Sequence, residues 1–208
     1  MVMELIDLSQ KLYSNIPVFP GDDPVQLKQI RVLNTDGFND YGLSTGMHVG
    51  THIDGPQHTT SDTRMISELP LEMFTGKGVL IDVRWEMVIE FKESYNTMIS
   101  PDSVVLFFSG LNIIYGTPQY FTNYPVISEE LARFLANKHI KIVGIDWFSP
   151  DYPPYPIHDI FLKNNILILE NLTNLEQLLN KTNFEVFAFP LKIEADSSIV
   201  RAVARVFP

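Results

Sequence analysis

The sequence predicts a mixed α/β fold built as a single domain over residues 1–208, on three observations. The chain has 208 residues, 45% of them hydrophobic and 12% aromatic, enough for one buried core at a length where one domain is the default. Apolar runs of strand length alternate with helical segments in the second half, the pattern of parallel strand pairing, while the first half holds more strands and turns. No repeat, low-complexity tract or flexible linker divides the chain.

The elements follow in order. Asp7-Leu8-Ser9-Gln10 opens a segment that ends in a proline-rich turn, Pro17 to Pro24. Residues 25–32 alternate apolar and polar, with one slip of phase at Gln29, as a strand would. Residues 78–83 and 103–108 read as buried strands rich in β-branched or aromatic side chains. Residues 128–136 predict a helix capped by Ser128, with Glu129 and Glu130 in its first turn. Residues 140–146 and 166–169 are further buried strands, followed by a short helix over 172–179. Residues 184–190 and 199–207 supply the last strands.

The formal net charge is −10, from 25 acidic and 15 basic residues. No cluster of Lys or Arg is present to displace counterions from nucleic acid or to bind an anionic membrane. There is no cysteine, so disulfides, thiolate nucleophiles and Cys-ligated metals are excluded together, and any metal must rest on His, Asp and Glu. Residues 1–7 lack the basic and apolar blocks of a signal peptide. The longest apolar runs fall far short of a membrane span. A cytoplasmic protein is expected.

Three of the five histidines fall in one eleven-residue stretch, His48-Val49-Gly50-Thr51-His52-Ile53-Asp54-Gly55-Pro56-Gln57-His58. Imidazole and carboxylate are the ligands that zinc and manganese accept when no thiolate is available. A helix would put His48 and His52 on one face, but β-branched Val49, Thr51 and Ile53 around Gly50 suit a helix poorly. A straight strand at roughly 3.3 Å per residue would separate them by about 13 Å, too far for one ion. The segment must therefore bend, at Gly50 and again at Gly55-Pro56, where small residues also let backbone approach an ion. The rival reading is a histidine-rich surface turn that binds nothing.

Two further candidates lie far along the chain. His158 follows the turn-forming Pro153-Pro154-Tyr155-Pro156, as if delivered by an ordered loop. Glu170 ends an apolar run where a bare carboxylate is costly unless paired or coordinated. Taken singly, each has an equally good structural reading, Glu170 as a first-turn carboxylate before the helix at Leu172. His139 reads as an exposed helix end.

The eleven-residue stretch resembles the His-x-Gly-Thr-His-x-Asp-x-Pro-x-His signature of the cyclase family, whose best-known members are the bacterial kynurenine formamidases, or arylformamidases. The likeness runs along nearly the whole chain, through Phe19-Pro20-Gly21-Asp22, Gly144-Ile145-Asp146, Glu170-Asn171-Leu172, residues 190–193 and residues 200–204. It implies a swivelling β/β/α fold with a mixed sheet, a homodimer, and zinc, two ions per chain, with manganese as the alternative. His48, His52 and Asp54 would hold one metal, and Asp54 would bridge to a second completed by His158 and Glu170. His58 would be the general acid/base. Two positions depart from the pattern: Phe19 stands where the formamidases generally place a substrate-stacking Trp, and Thr59-Thr60 where an aromatic often follows. Phe19 still offers a ring face to a substrate.

The resemblance implies hydrolysis of an amide or formamide, such as N-formylkynurenine, in which a divalent ion acidifies water and polarises the carbonyl. His58 would protonate the departing nitrogen. Opening of a cyclic amide, as in the lactam of isatin, is the alternative within the same class. A non-catalytic metal- or ligand-binding module is the alternative outside it. A serine hydrolase would need a Gly-x-Ser-x-Gly elbow; Ser109-Gly110 lacks its first glycine.

Overall fold

The computed structural model describes residues 3–207; Met1 and Val2, part of the stretch read as lacking a signal peptide, lie outside the described residues. The chain opens with β1 (Glu4–Asp7), then a hairpin of β2 (Gln26–Arg31) and β3 (Asp40–Ser44) with the one-turn helix α1 (Leu33–Asp36) at its tip. The phase slip at Gln29 corresponds to a register shift between Gln29 and Arg31. β4 (His52–Asp54) carries the centre of the histidine motif. It is followed by β5 (Thr75–Asp82), β6 (Val88–Ile89), the one-turn α2 (Tyr95–Met98), β7 (Val104–Phe108) and β8 (Val126–Ile127). The second half adds α3 (Glu129–Asn137), β9 (Ile142–Ile145), α4 (Pro156–Lys163), β10 (Leu167–Glu170), β11 (Phe184–Phe187), β12 (Ser197–Ile199) and β13 (Val203–Val206).

Nine strands form one mixed sheet in the order β1-β13-β11-β5-β7-β9-β10-β4-β12. Its centre, β5-β7-β9-β10, is parallel, as the alternation of strands and helices predicts. Antiparallel strands flank it on both sides. One face packs on α3 and α4, where Leu131, Leu135, Phe161 and Leu162 meet Val105, Val143 and Ile168. On the other face, Ile6 of β1 and Ile53 of β4, from nearly opposite ends of the sheet, join one apolar cluster. The sheet therefore curls upon itself. Each such fully buried side chain contributes roughly 1.5–3 kcal/mol of hydrophobic stabilisation.

The helix predicted from Ser128 forms as expected. Its hydroxyl accepts from Leu131 N at 3.2 Å, and Glu129 and Glu130 complement the positive end of the helix dipole. The helix expected over 172–179 does not form. Only a 3₁₀ turn, Leu175–Leu178, occupies that stretch, because Leu172 and Leu175 are fully buried in the second apolar cluster and Asn171 and Asn174 adopt left-handed backbone angles. His139 is exposed just beyond α3, as predicted.

Candidate metal centre

The strand register assembles the site. β4 pairs with β10 so that His52 lies directly opposite Glu170 and Asp54 opposite Ile168. His52 and Asp54 are two residues apart and share a face with Glu170, close enough for their side chains to converge. All three are buried, at 1%, 1% and 5% exposure. The segment before them bends as expected. Gly50 has φ +58, in the left-handed region that glycine adopts without strain. A Cβ there would meet only Ile16 Cδ1, at an ordinary 3.5 Å, so the backbone angle is the constraint. The bend presents the Gly50 carbonyl to His52 Nδ1 at 2.9 Å and to Asn171 Nδ2 at 3.0 Å. Thr51 ties the bend to the rest of the chain, donating to Asn171 O and accepting from Gln10 N.

His158 reaches the same place by a route that differs from the expectation. It is not on a loop but in the first turn of α4, which Pro156 opens with the pre-set angle of a first helical residue. Buried Asp151 accepts from Ile157 N and His158 N, capping the helix start, and also accepts from His158 Nδ1 at 2.7 Å. His158 Nε2 is left 3.7 Å from Glu170 Oε1. Glu170 is likewise not a helix-start carboxylate; it is the last residue of β10.

A common pattern runs through His48, His52 and His158. Each has one ring nitrogen fixed to an acceptor: Asp196 for His48, Gly50 O for His52 and Asp151 for His158. The other nitrogen approaches a buried carboxylate: His48 Nδ1 is 2.9 Å from Asp54 Oδ1, and His52 Nε2 is 3.5 Å from Asp54 Oδ1 and 3.4 Å from Glu170 Oε2. Yet His52 Nε2, Asp54 Oδ1 and Glu170 Oε1 have no hydrogen-bond partner; His48 Nδ1 approaches Asp54 out of line for one. Buried polar atoms left without partners are costly. Donor atoms that crowd together without bonding one another fit coordination of a shared cation, and the outward nitrogens are held as metal-binding imidazoles are held.

Two groups of three lie close enough to hold an ion, His52-Asp54-Glu170 and His48-Asp54-His58, with Asp54 common to both. The resemblance implied a different sharing, His48 with His52 and Asp54 in one set and His158 with Glu170 and Asp54 in the other. His158 adjoins the first of the observed groups through Glu170. The four candidates of the motif, His48, His52, Asp54 and His58, and the two distant ones, His158 and Glu170, are thus brought together.

Electrostatics say the same. Burial pulls the His48 imidazole down, but Asp54 and Asp196 outweigh it and push it up to about 11. Burial is likewise outweighed at His158, where Asp151 and Glu170 hold the imidazole at about 10. Burial raises Asp54, but His48 and His52 carry it well below the usual carboxylate range. The cradle is a surplus of negative charge that draws protons in the absence of another cation, so a divalent ion and protons compete for it.

The site lines a cleft of about 290 Å³ with aromatic walls from Phe19, Tyr115, Phe121, Phe148 and Tyr155. Phe19 is 43% exposed and its ring centroid lies 5.7 Å from that of Phe148. The sequence did not point to Asp151 or Asp196. Asp196 stands in Glu194-Ala195-Asp196-Ser197-Ser198, which reads as an ordinary polar turn; only the pairing of β12 beside β4 brings it to the histidines.

Residues 6–152 match the family described as Putative cyclase. The chain is 31% identical over 208 residues to a kynurenine formamidase of Bacillus cytotoxicus, covering 97% of each chain. Among solved structures it is similar to isatin hydrolase A from Labrenzia aggregata bound to benzyl benzoate, with a TM-score of 0.87, 25% identity, and coverage of 99% of this chain and 94% of that one. It also shares its fold with a protein described as a potential metal-dependent hydrolase with cyclase activity, at a TM-score of 0.83 and 22% identity over 100% of both chains. With the eleven-residue motif folded into a cradle of buried, unpartnered ligand atoms, and with a match that runs over most of its length, the chain belongs to the Putative cyclase family.

Proposed function

We propose that this protein is a metal-dependent hydrolase of a carbon–nitrogen amide bond, acting on an N-formylated aryl substrate of the formylkynurenine kind. The observation that carries the reading is the convergence of His52 Nε2, Asp54 Oδ1 and Glu170 Oε1, three buried ligand atoms without hydrogen-bond partners, on one wall of an aromatic-lined cleft. The kynurenine formamidase relative supports the substrate class. A donor set of imidazole and carboxylate alone suits zinc, two ions per chain, with manganese second.

A bound divalent ion supplies acidified water and polarisation of the carbonyl oxygen. The chain's residues do the rest. His48, His52, Asp54, His158 and Glu170 hold the ions, with Gly50 O, Asp151 and Asp196 fixing the rings. The Phe19 ring covers one face of an aryl group at the mouth of the cleft. His58 bonds Asp196 through Nδ1 at 3.0 Å, and its Nε2 makes no hydrogen bond to the described residues. That nitrogen takes up the proton released by the attacking water and passes it to the leaving amine, without which the amine departs poorly.

Assay of the purified protein with N-formylkynurenine, before and after chelation and zinc readdition, tests the proposal. Formate release that disappears with the metal and returns with zinc is expected. A metal-loaded protein inert toward formamides would overturn it. Likeness to isatin hydrolase A favours lactam opening as the second reading, and isatin in a parallel assay separates the two. We also propose pairing with a second copy of the chain. The β2–β3 hairpin exposes Ile30, Phe38, Tyr41 and Leu43, and light scattering at the mass of a monomer would refute that.

A further inference from the structure

We propose that Asp196 is a positioning residue that sets the ring of the proposed acid/base, His58, and ties it to the metal-ligand ring of His48; this rests on the hydrolase reading above. One carboxylate oxygen, Asp196 Oδ2, accepts from His58 Nδ1 at 3.0 Å and from His48 Nε2 at 2.9 Å. A carboxylate only accepts, so both rings carry their proton toward it. The tautomer of each is thereby fixed: His58 keeps Nε2 bare, and His48 keeps Nδ1 for the side facing Asp54. The two rings lie 4.1 Å apart at their centroids and 37° from parallel, held side by side by the shared oxygen.

Asp196 is itself held from two directions. Its carbonyl accepts from Gly55 N at 2.9 Å, and the Gly55 carbonyl accepts from His58 N at 3.1 Å, so backbone as well as side chain joins the two residues. A Cβ on Gly55 would stand 2.7 Å from Asp196 O, a distance that real side chains do not show. Glycine at position 55 is what lets the His58 turn seat against Asp196, just before β12. Ser197 Oγ completes the set, donating to Asp196 Oδ1 at 3.2 Å and lying 2.9 Å from His48 Nε2, whose proton it shares as a second acceptor. Asp196 does not line the cleft, and its side chain makes no hydrogen bond or ion pair to His52, Asp54 or Glu170, so its effect passes through the two imidazoles.

The test uses zinc-saturated full-length protein carrying ¹⁵N-labelled histidine. Long-range proton–nitrogen spectra of the wild type are expected to show His58 protonated on Nδ1 alone, and Asp196→Ala a mixture of tautomers. At saturating zinc, Asp196→Ala is expected to lower kcat by about a hundredfold, the contribution typical of a placed acid/base, with KM within about twofold. In a His58→Ala background the same change should cost kcat less than about threefold, because the two residues act as one unit. Zinc affinity should fall about 10- to 100-fold through His48. Asp196→Asn keeps an oxygen to accept from both rings and should recover kcat to within about tenfold of the wild type, which separates positioning from misfolding. An unchanged His58 tautomer in Asp196→Ala, or losses that multiply in the double variant, would overturn the proposal. Should His58→Ala turn over like the wild type, the acid/base assignment fails, and the spectra still decide whether Asp196 sets the ring.

Discussion

Asp146 and Glu170 stand at the carboxyl ends of neighbouring parallel strands, β9 and β10, both buried and both at the same end of the sheet. Their surroundings are opposite. Asp146 receives Ser109 N at 2.8 Å, Ser109 Oγ at 2.6 Å and Gly110 N at 2.8 Å, so its oxygens are satisfied by the chain itself. Glu170 Oε1 has no partner and faces His158, while Oε2 faces His52. Burial of an acid does not by itself mark a functional site. What marks it is an acid left unsatisfied among groups that could share an ion with it.

The comparison can be broken most severely at the unsatisfied end. Asp54→Asn removes the charge common to both groups of candidate ligands. Metal content by elemental analysis should fall below that of the wild type, and formamide turnover should drop about a thousandfold or more, since the ion supplies several kcal/mol to the transition state. Full metal content and activity in this variant would remove the site from consideration.

At the satisfied end the expected signal is in stability. Burial outweighs the hydrogen bonds from Ser109 and Gly110 and pushes the Asp146 carboxyl from 3.8 up to about 6. The folded state therefore holds this proton more tightly than the unfolded chain. Its stabilising contribution is complete below about pH 4 and is lost as pH rises through about 6, a difference on the order of 3 kcal/mol. Denaturant midpoints between pH 4 and 6 should decline less steeply in Asp146→Asn than in the wild type, with metal content unchanged. Parallel profiles would show that Asp146 ionises normally.

The smallest effect is expected at the cleft mouth. Phe19→Ala removes one ring face and should raise KM for an aryl formamide about 5- to 10-fold, in keeping with about 1 kcal/mol for an aromatic contact. It should leave kcat and metal content near wild type. An unchanged KM would exclude Phe19 from substrate binding.

Much of this arrangement was legible in the sequence because it is local. The clustering of His48, His52, Asp54 and His58 shows without a structure, and the poor helical composition around Gly50 requires the bend that φ +58 provides. Ser128 announces its helix, and Gln29 its bulge. What could not be read depends on distant pairing. Nothing near Asp196 signals that β12 will lie against β4, and nothing in Leu172 to Leu179 shows that burial of Leu172 and Leu175 will outweigh helical propensity. His158 was misread because Pro156 signals both the end of a loop and the first turn of a helix.

The placement of His52 across from Glu170 has a consequence for how this scaffold can change. A slide of β4 by one residue would turn His52 and Asp54 to the opposite face, away from Glu170, so the geometry of the candidate ligands is as firm as the ladder that carries it. The roof over the cleft, from Pro17 to Asp22 and from Tyr115 to Phe121, lies outside that ladder. Substitutions there can reshape what is admitted while the reactive centre stays in register, which makes selectivity the property of this molecule that is easiest to redesign.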